Sequence, residues 1–522
     1  MREDLAAKHQ LALAPQYVQA CGRQAVLLYK EEIEVLLRTP GHTGFSLLDL
    51  HDYPGQGTAL IGPLDPFWDP KGFVSPERHR RYCGPTVPLL RLKQRAFTAD
   101  EPVVAEVDLA HFGPKDLAGM TPKWVIKDEK GRTIAAGSLP KANMPTGKLS
   151  TLGSMQASLS KAAAPCKLSV TVSLAGTTFA NDWDIWVYPA NPAPVAPSNV
   201  IVANEWNAET AQALADGKRV VLFASQMSSA KSLPGRFLPV FWSPVWFPNQ
   251  KPNTMGILCN PRHPALAEFP TEAYSNWQWW DIVNNSRSLI LDDAPAGFRP
   301  VIQIIDNFAR NHRLSLLLEA RVGSGSLLLF TASLPDMAAK CPPARQLLQS
   351  LYDYAGSDAF HAAQSLDVSY LDTLLRHGPR GAMQKLGAKI VRVDSKVESF
   401  EAVNMFDEDP ISIWHTSWGD GAKPLPHEVV ISFQKPVKLA GLRILPRQDI
   451  DNGKIKDYVV AVSDDDQTWH AAAKGQFDSS SEEKKVLFAQ PQTARYLKLT
   501  ALSAHGKGPF VSIAELVAVE AK

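Results

Sequence analysis

LAGLRILPRQDIDNGKIKDYVVAVSDDDQTWH, residues 439–470, holds two short apolar strand candidates separated by a polar loop that contains Asn452-Gly453, a strong hairpin-turn signal. Before it stands AVNMFDEDPISIWHTSW (402–418), an Asp-rich turn followed by Trp-His-Thr. ARYLKLTA (494–501) and VSIAELVAV (511–519) come after it as closing strands. The whole region 385–520 therefore reads as all-β.

The chain around this region is long and nearly neutral. At about 150 residues per domain, 522 residues predict three or four domains. Lys and Arg number 54 against 53 Asp and Glu, and no long run has one sign, so neither nucleic acid nor an anionic membrane is implied as a partner. Neutral partners such as sugars stay open. Forty Pro and 13 Trp suit turn-rich sandwiches; indole rings can also pack on the C–H face of a sugar, and they equally fill sandwich cores. The cysteines Cys21, Cys83, Cys166, Cys259 and Cys341 are widely spaced and predict neither a zinc site nor a disulfide framework. MREDLAAKHQ has no apolar core of a signal peptide, and no run approaches the ~18 apolar residues of a membrane span.

Residues 1–40 read as two helices, the second carrying Val26, Leu28, Tyr29, Ile33, Leu36 and Leu37 at helical spacing. GFSLLDL (44–50) reads as a buried strand. From about 95 to 189 VVAEVDLAHF, KWVIKD, CKLSVTVSL and DWDIWVYP predict short strands of a sandwich. ANPAPVAPS (190–198) reads as a Pro-rich linker and the clearest boundary. Beyond it VIVA, KRVVLFA, PVIQIID and SLLLFTASL alternate with helical segments, one of them capped by Asn207 and stopped at Gly217.

The C-terminal motifs resemble, in order, a discoidin or coagulation-factor 5/8 type C domain. The resemblance implies two sites. Many such modules hold a calcium ion, which takes six to eight oxygen ligands; the matching positions are Asp407, Asp409, Ser412 and Glu515, with carbonyls from Ala402 and Ala514. Glu408 stands where Gly is usual and Ser412 where Thr is usual. In galactose-binding members of the family 32 carbohydrate-binding modules a His, a Trp three residues on, an Arg, an Asn five after it and a late aromatic meet at one loop end. The matching residues are His415, Trp418, Arg447, Asn452 and Phe510. A charged donor and a His suit the axial O4 of galactose, while Arg and Asn can fork onto vicinal hydroxyls. Each residue also has a structural reading: a packed His beside Trp414, a sheet-edge ion pair for Arg447, a plain turn at Asn452-Gly453.

The stretch HTGFSLLDLHDYPGQGTALIGPLDPFWDPKG (42–72) resembles the last barrel strand and loop of glycoside hydrolase family 2, with Asp49, His51, Asp52 and Gln56 placed to line a sugar site. A (β/α)8 barrel needs about 250 residues, and only 43 precede Gly44. In that family the glutamate pair of the retaining mechanism lies on earlier barrel strands, which have no match here, and Glu31, Glu32 and Glu34 read as the solvent face of an amphipathic helix rather than as substitutes. The segment 199–356 resembles amidotransferase-like domains, although Cys259 and His263 lack the strand-to-helix elbow of a nucleophile. NWQWWD (276–281) and FWSPVWF (241–247) read as sugar platforms or as core.

The expected organisation is a multidomain α+β chain. Residues 1–92 are expected as a barrel remnant, 93–190 as an immunoglobulin-like β-sandwich, 199–356 as an α/β doubly wound domain, 357–384 as a helical connector and 385–522 as a discoidin-type β-sandwich. The implied function is the carbohydrate-binding part of an exported glycoside hydrolase such as a β-galactosidase, with a catalytic segment missing upstream. The alternatives are a stand-alone lectin and a hydrolase with unrecognised carboxylates.

Overall fold

A computed structural model of the chain describes residues 1–42, 44–48, 50–53, 62–190, 194–224, 231–238, 254–375, 382–397, 400–407, 412–448 and 450–521. These form two compact units, one reaching to Leu375 and one holding the described residues from 382 onward.

In the first unit the helix Ala14–Leu37 carries two buried patches. Ala20 and Cys21 pack with Ile305, whereas Ile33 and Leu37 pack with Tyr82, Val87, Leu89 and Ala110. Burial of each large aliphatic side chain stabilises by roughly 1.5–3 kcal/mol, so the helix clamps two β-layers at once. Glu34 departs from the expected solvent face. It is fully buried, and it accepts hydrogen bonds from Asn181 Nδ2 (2.7 Å) and Trp183 Nε1 (2.8 Å) beside Lys30. The outward positions are taken instead by Val35 and Leu36.

The strand expected over 44–50 does not form. Its described residues make no ladder, Leu48 is 73% exposed, and only His51 makes an isolated bridge, with Leu64. A buried strand needs neighbours for its N–H and C=O groups, and among the described residues only Leu50 O finds one, accepting from Leu64 N–H at 3.3 Å. The barrel reading of 1–92 is corrected accordingly. Its last segment, Thr86–Arg91, already belongs to the following sandwich and pairs along Glu106–His111.

That sandwich has a three-stranded sheet (Thr86–Arg91, Val103–His111, Lys148–Ala157) and a five-stranded sheet (Ala96–Thr98, Ala180–Tyr188, Cys166–Leu174, Pro122–Asp128, Thr133–Ser138). Alternating residues such as Leu168, Val170 and Val172 fill the core between them. The Pro-rich 190–198 stretch does not separate two independent cores: Trp186 and Tyr188 of the sandwich share one cluster with Val221, Phe223 and Phe330 beyond it.

The eight-stranded sheet that follows is mixed rather than doubly wound. Among the described residues only Val200–Ala203, Arg219–Phe223 and Gly325–Phe330 run parallel to one another. Leu314–Val322 returns directly into Gly325–Phe330 through Gly323-Ser324, and a two-residue turn permits only an antiparallel pair. The cap residues are as expected: Asn207 accepts from Thr210 N, and Gly217 follows at φ +78. Two short helices, Val368–Leu375 and Ala382–Lys385, fall in the connector region.

The second unit is a β-sandwich. Its six-stranded sheet runs Lys389–Val393, His427–Leu445, Lys484–Ala501, Asp457–Ser463, His470–Gln476, with Glu515–Glu520 also on His427–Leu445; Trp414–His415 pairs with Ser512–Ile513 in a small second sheet. Leu442, Ile444, Val460, Val462, Leu497 and Leu499 alternate inward around Trp414. No described helix is long and apolar enough to cross a membrane.

Candidate functional site

At one end of the C-terminal sandwich the small two-stranded sheet sets His415 opposite Ser512. His415 is buried, and its Nδ1–H donates to the Thr416 carbonyl at 2.6 Å, which makes Nε2 the acceptor nitrogen. Its ring lies 5.0 Å from that of Trp418, nearly perpendicular, and 5.8 Å from Phe510. Trp418 is 47% exposed, so its indole is available to a ligand. Arg447 follows directly on the edge of the long strand His427–Leu445. It is buried and donates from Nη1 to the Asn452 carbonyl at 3.2 Å, closing the 447–452 loop on itself. Asn452 Oδ1 is buried without a hydrogen-bond partner among the described residues. Gly453 N–H donates to His505 O, and Ser512 N–H donates to Gly453 O at 2.8 Å, which ties this loop to the strand opposite His415.

All five residues expected of the sugar site thus stand on connected loops at one end of the sandwich. Three further contributors were not expected. Phe400 sets its ring 5.7 Å from Trp418 and 6.2 Å from His415. Gly506 (φ +91) passes so close to Asn452 that a Cβ would lie 2.7 Å from its Cα, and at Gly508 (φ +104) a Cβ would lie 2.5 Å from the Phe510 ring. The run His505-Gly506-Lys507-Gly508-Pro509 was the available signal for the last two. His427 holds the same run in place, with Nδ1 facing Asp394 Oδ2 (2.6 Å) and Nε2 facing Pro509 O (2.8 Å).

The residues expected to hold calcium are partly described. Ser412 Oγ donates to Asp407 Oδ2 at 2.6 Å, and the turn Ala402–Phe406 packs on the strand Glu515–Glu520. Ala402 and Ala514 are buried. Carboxylate, hydroxyl and carbonyl oxygens of this kind are hard donors and fit a calcium ion. Asp409 lies outside the described residues, and among the described residues no cluster of three or more metal-ligating His, Cys, Asp or Glu side chains occurs.

Of the barrel-loop candidates only His51 and Asp52 are described. Asp49 and Gln56 lie outside the described residues. Asp52 is buried and accepts from Lys71 Nζ (2.5 Å) and Gly62 N–H (3.1 Å), and His51 Nδ1–H donates to the Asp52 carbonyl. These bonds hold a loop. Cys259 is buried, its thiol faces the Glu272 carbonyl at 3.4 Å, and burial pushes its pKa up to about 12, the opposite of an activated nucleophile. In NWQWWD, Trp279 is core, Trp280 is 46% exposed and Trp277 stacks on Phe237; FWSPVWF lies outside the described residues.

Residues 392–516 match the family model described as F5/8 type C domain. They form an F5/8 type C domain. Residues 101–189 and 201–376 match two models described as domains of unknown function, DUF8488 and DUF8487. Among curated proteins the chain is 30% identical over 141 residues to a sialidase of Micromonospora viridifaciens, covering 26% of this chain and 22% of the relative. It is 33% identical over 129 residues to galactose oxidase of Gibberella zeae, covering 24% and 19%. The chain therefore spans about a fifth of the length of these relatives. Among solved structures it is similar to the family 32 carbohydrate-binding module of C. perfringens NanJ in complex with galactose (26% identity, 27% of this chain and 96% of that one, TM-score 0.24). It is also similar to CpGH89CBM32-5 of Clostridium perfringens in complex with GalNAc-β-1,3-galactose (26% identity, 27% and 97%, TM-score 0.24).

Proposed function

We propose that the F5/8 type C domain binds a galactose-type sugar and serves as the targeting part of a secreted glycan-processing protein. The observation that carries this reading is the shared end of the sandwich on which His415, Trp418, Arg447, Asn452 and Phe510 stand. Trp418 supplies an exposed aromatic face for the apolar side of the ring, His415 an acceptor nitrogen, Asn452 a buried amide oxygen without a partner among the described residues, and Arg447 a charged donor for ring hydroxyls. The names of the matched relatives, a sialidase and a galactose oxidase, are in keeping with a glycan-directed role. A calcium ion held by Asp407, Ser412, Glu515 and the carbonyls of Ala402 and Ala514, with Asp409, would tie the 402–412 turn to the closing strand.

Calorimetric titration of the full chain with galactose and N-acetylgalactosamine, beside an Arg447→Ala sample, tests the reading. Saturable binding lost in the variant is expected. A folded wild-type chain that gives no heat with either sugar would overturn it.

A further inference from the structure

Two adjoining cavities in the first unit, about 720 and 740 Å3, share Arg23, Glu272 and Tyr274 as a common wall. They adjoin along these residues as a two-part cleft between the helix Ala14–Leu37, the sandwich strand Ala180–Tyr188 and the 272–277 segment of the mixed-sheet layer. Each is of the size that holds a small organic ligand.

The charges in this cleft largely cancel. Arg78 and Arg81 pair with Asp182 at 3.2 and 2.7 Å, Lys167 pairs with Glu272 at 2.5 Å, and Arg95 pairs with Glu31 at 2.7 Å. Arg23 on the shared wall makes no ion pair among the described residues but is exposed to solvent; an ion bound deeper in the cleft would have to displace one of these bonds. Besides the exposed Arg23, two polar groups held away from solvent on the wall are uncommitted among the described residues. Among the described residues Asp184 is a half-buried carboxylate with no hydrogen bond or ion pair, and Trp186 is 1% exposed with a buried indole N–H that meets no acceptor. A buried polar group left without a partner carries a desolvation cost that a ligand can remove. One free acceptor and one free donor suit hydroxyl groups, which do both. The half-buried Tyr274 ring stands on the wall common to both cavities, where an aromatic can lie against the C–H face of a sugar.

We propose that this cleft is a second carbohydrate site, independent of the C-terminal one, which takes a neutral oligosaccharide chain running through both cavities, with Asp184 accepting from its hydroxyls, Trp186 donating to one, and Tyr274 packing on a ring. Two adjoining cavities, each of about 720–740 Å3, argue for a chain rather than a single sugar, and the near balance of the lining charges, most of them paired with one another, argues for a neutral one. Burial raises the Asp184 carboxyl above its ordinary range, and neighbouring Glu272 adds to that rise against the opposing pull of Lys167 and Arg78. A group so placed is held against its own solvation preference, as ligand-binding groups often are.

The test uses the full chain carrying Arg447→Ala, so that the C-terminal site is silent. Calorimetry with neutral galacto-, gluco-, manno- and xylo-oligosaccharides is run beside oligogalacturonate. Binding of at least one neutral series is expected, weakened about tenfold or more by Asp184→Asn and by Tyr274→Ala. The indole N–H resonance assigned through Trp186→Phe should move on saturation. Melting temperatures identify any variant that fails to fold. Absence of binding by every neutral series, binding by oligogalacturonate alone, or binding unaffected by both variants would overturn the proposal, and none of these outcomes bears on the C-terminal site.

Discussion

Arg447 donates to the carbonyl of Asn452 across 3.2 Å, so the guanidinium offered to a ligand also sets the loop that carries the site's amide. Arg447→Lys keeps the charge but loses the planar fork. It should weaken galactose binding about tenfold, nearly as much as Arg447→Ala, with little change in melting temperature. Calorimetry beside thermal unfolding checks this.

Trp418 and His415 touch but should separate in their effects. The exposed Trp418 contributes mainly to a ligand, so Trp418→Ala should abolish sugar binding while stability changes by no more than about 0.5 kcal/mol. His415→Ala opens a buried position between two aromatics and should cost both affinity and stability, by about 1–3 kcal/mol. Denaturant titration of both variants distinguishes them.

Gly506 leaves no room for a side chain beside Asn452 and has φ +91. Gly506→Ala should displace the Asn452 loop and reduce galactose affinity, although Gly506 itself offers no side chain to the sugar. Unchanged affinity in this variant would show that the loop tolerates displacement.

Glu34 and Lys30 form a buried pair. Burial pulls the Lys30 amine down from its ordinary range, against the opposing effect of Glu34. Glu34→Ala would strand that charge and remove the acceptor for Trp183 and Asn181, at a cost of about 3–5 kcal/mol. Glu34→Gln should cost less, because it keeps an acceptor. Urea unfolding of the two variants gives the comparison.

Asp184 supplies a pH dependence. Its raised folded pKa means that the native state still holds the proton where the unfolded chain has lost it, so its contribution falls as pH rises from the unfolded carboxyl value through the folded one. Asp184→Asn should therefore raise the melting temperature at neutral pH, and the difference should shrink as pH falls below the ordinary carboxylate range.

How far the residues disclosed the structure depends on the reach of each signal. The short strands 103–111, 166–174 and 180–188 and the cap at Asn207 are local patterns, and they lie where periodicity and capping place them. The candidate sugar-site residues were picked out through motif order and spacing, and the structure sets them on connected loops at one end of the sandwich. The strand expected over 44–50 carried a sound local pattern but finds no neighbouring strand among the described residues, only the single bond from Leu64 N–H to Leu50 O. The sense of the mixed sheet was open to reading in Val322-Gly323-Ser324-Gly325, where the two-residue turn dictates an antiparallel return.

The sequence alone determined the β-rich character of both units, the F5/8 type C motif order and the identity of the candidate sugar ligands. Only tertiary structure decided that Glu34 is buried under Trp183 rather than solvated, that Trp186 and Tyr188 join the core beyond the Pro-rich segment, and that Asp184 and Trp186 stand on one cleft wall. The physical reason is range. Propensity, capping and turn chemistry act within a few residues, whereas burial, charge pairing and cavity shape depend on segments more than a hundred residues apart, such as Glu34 and Trp183.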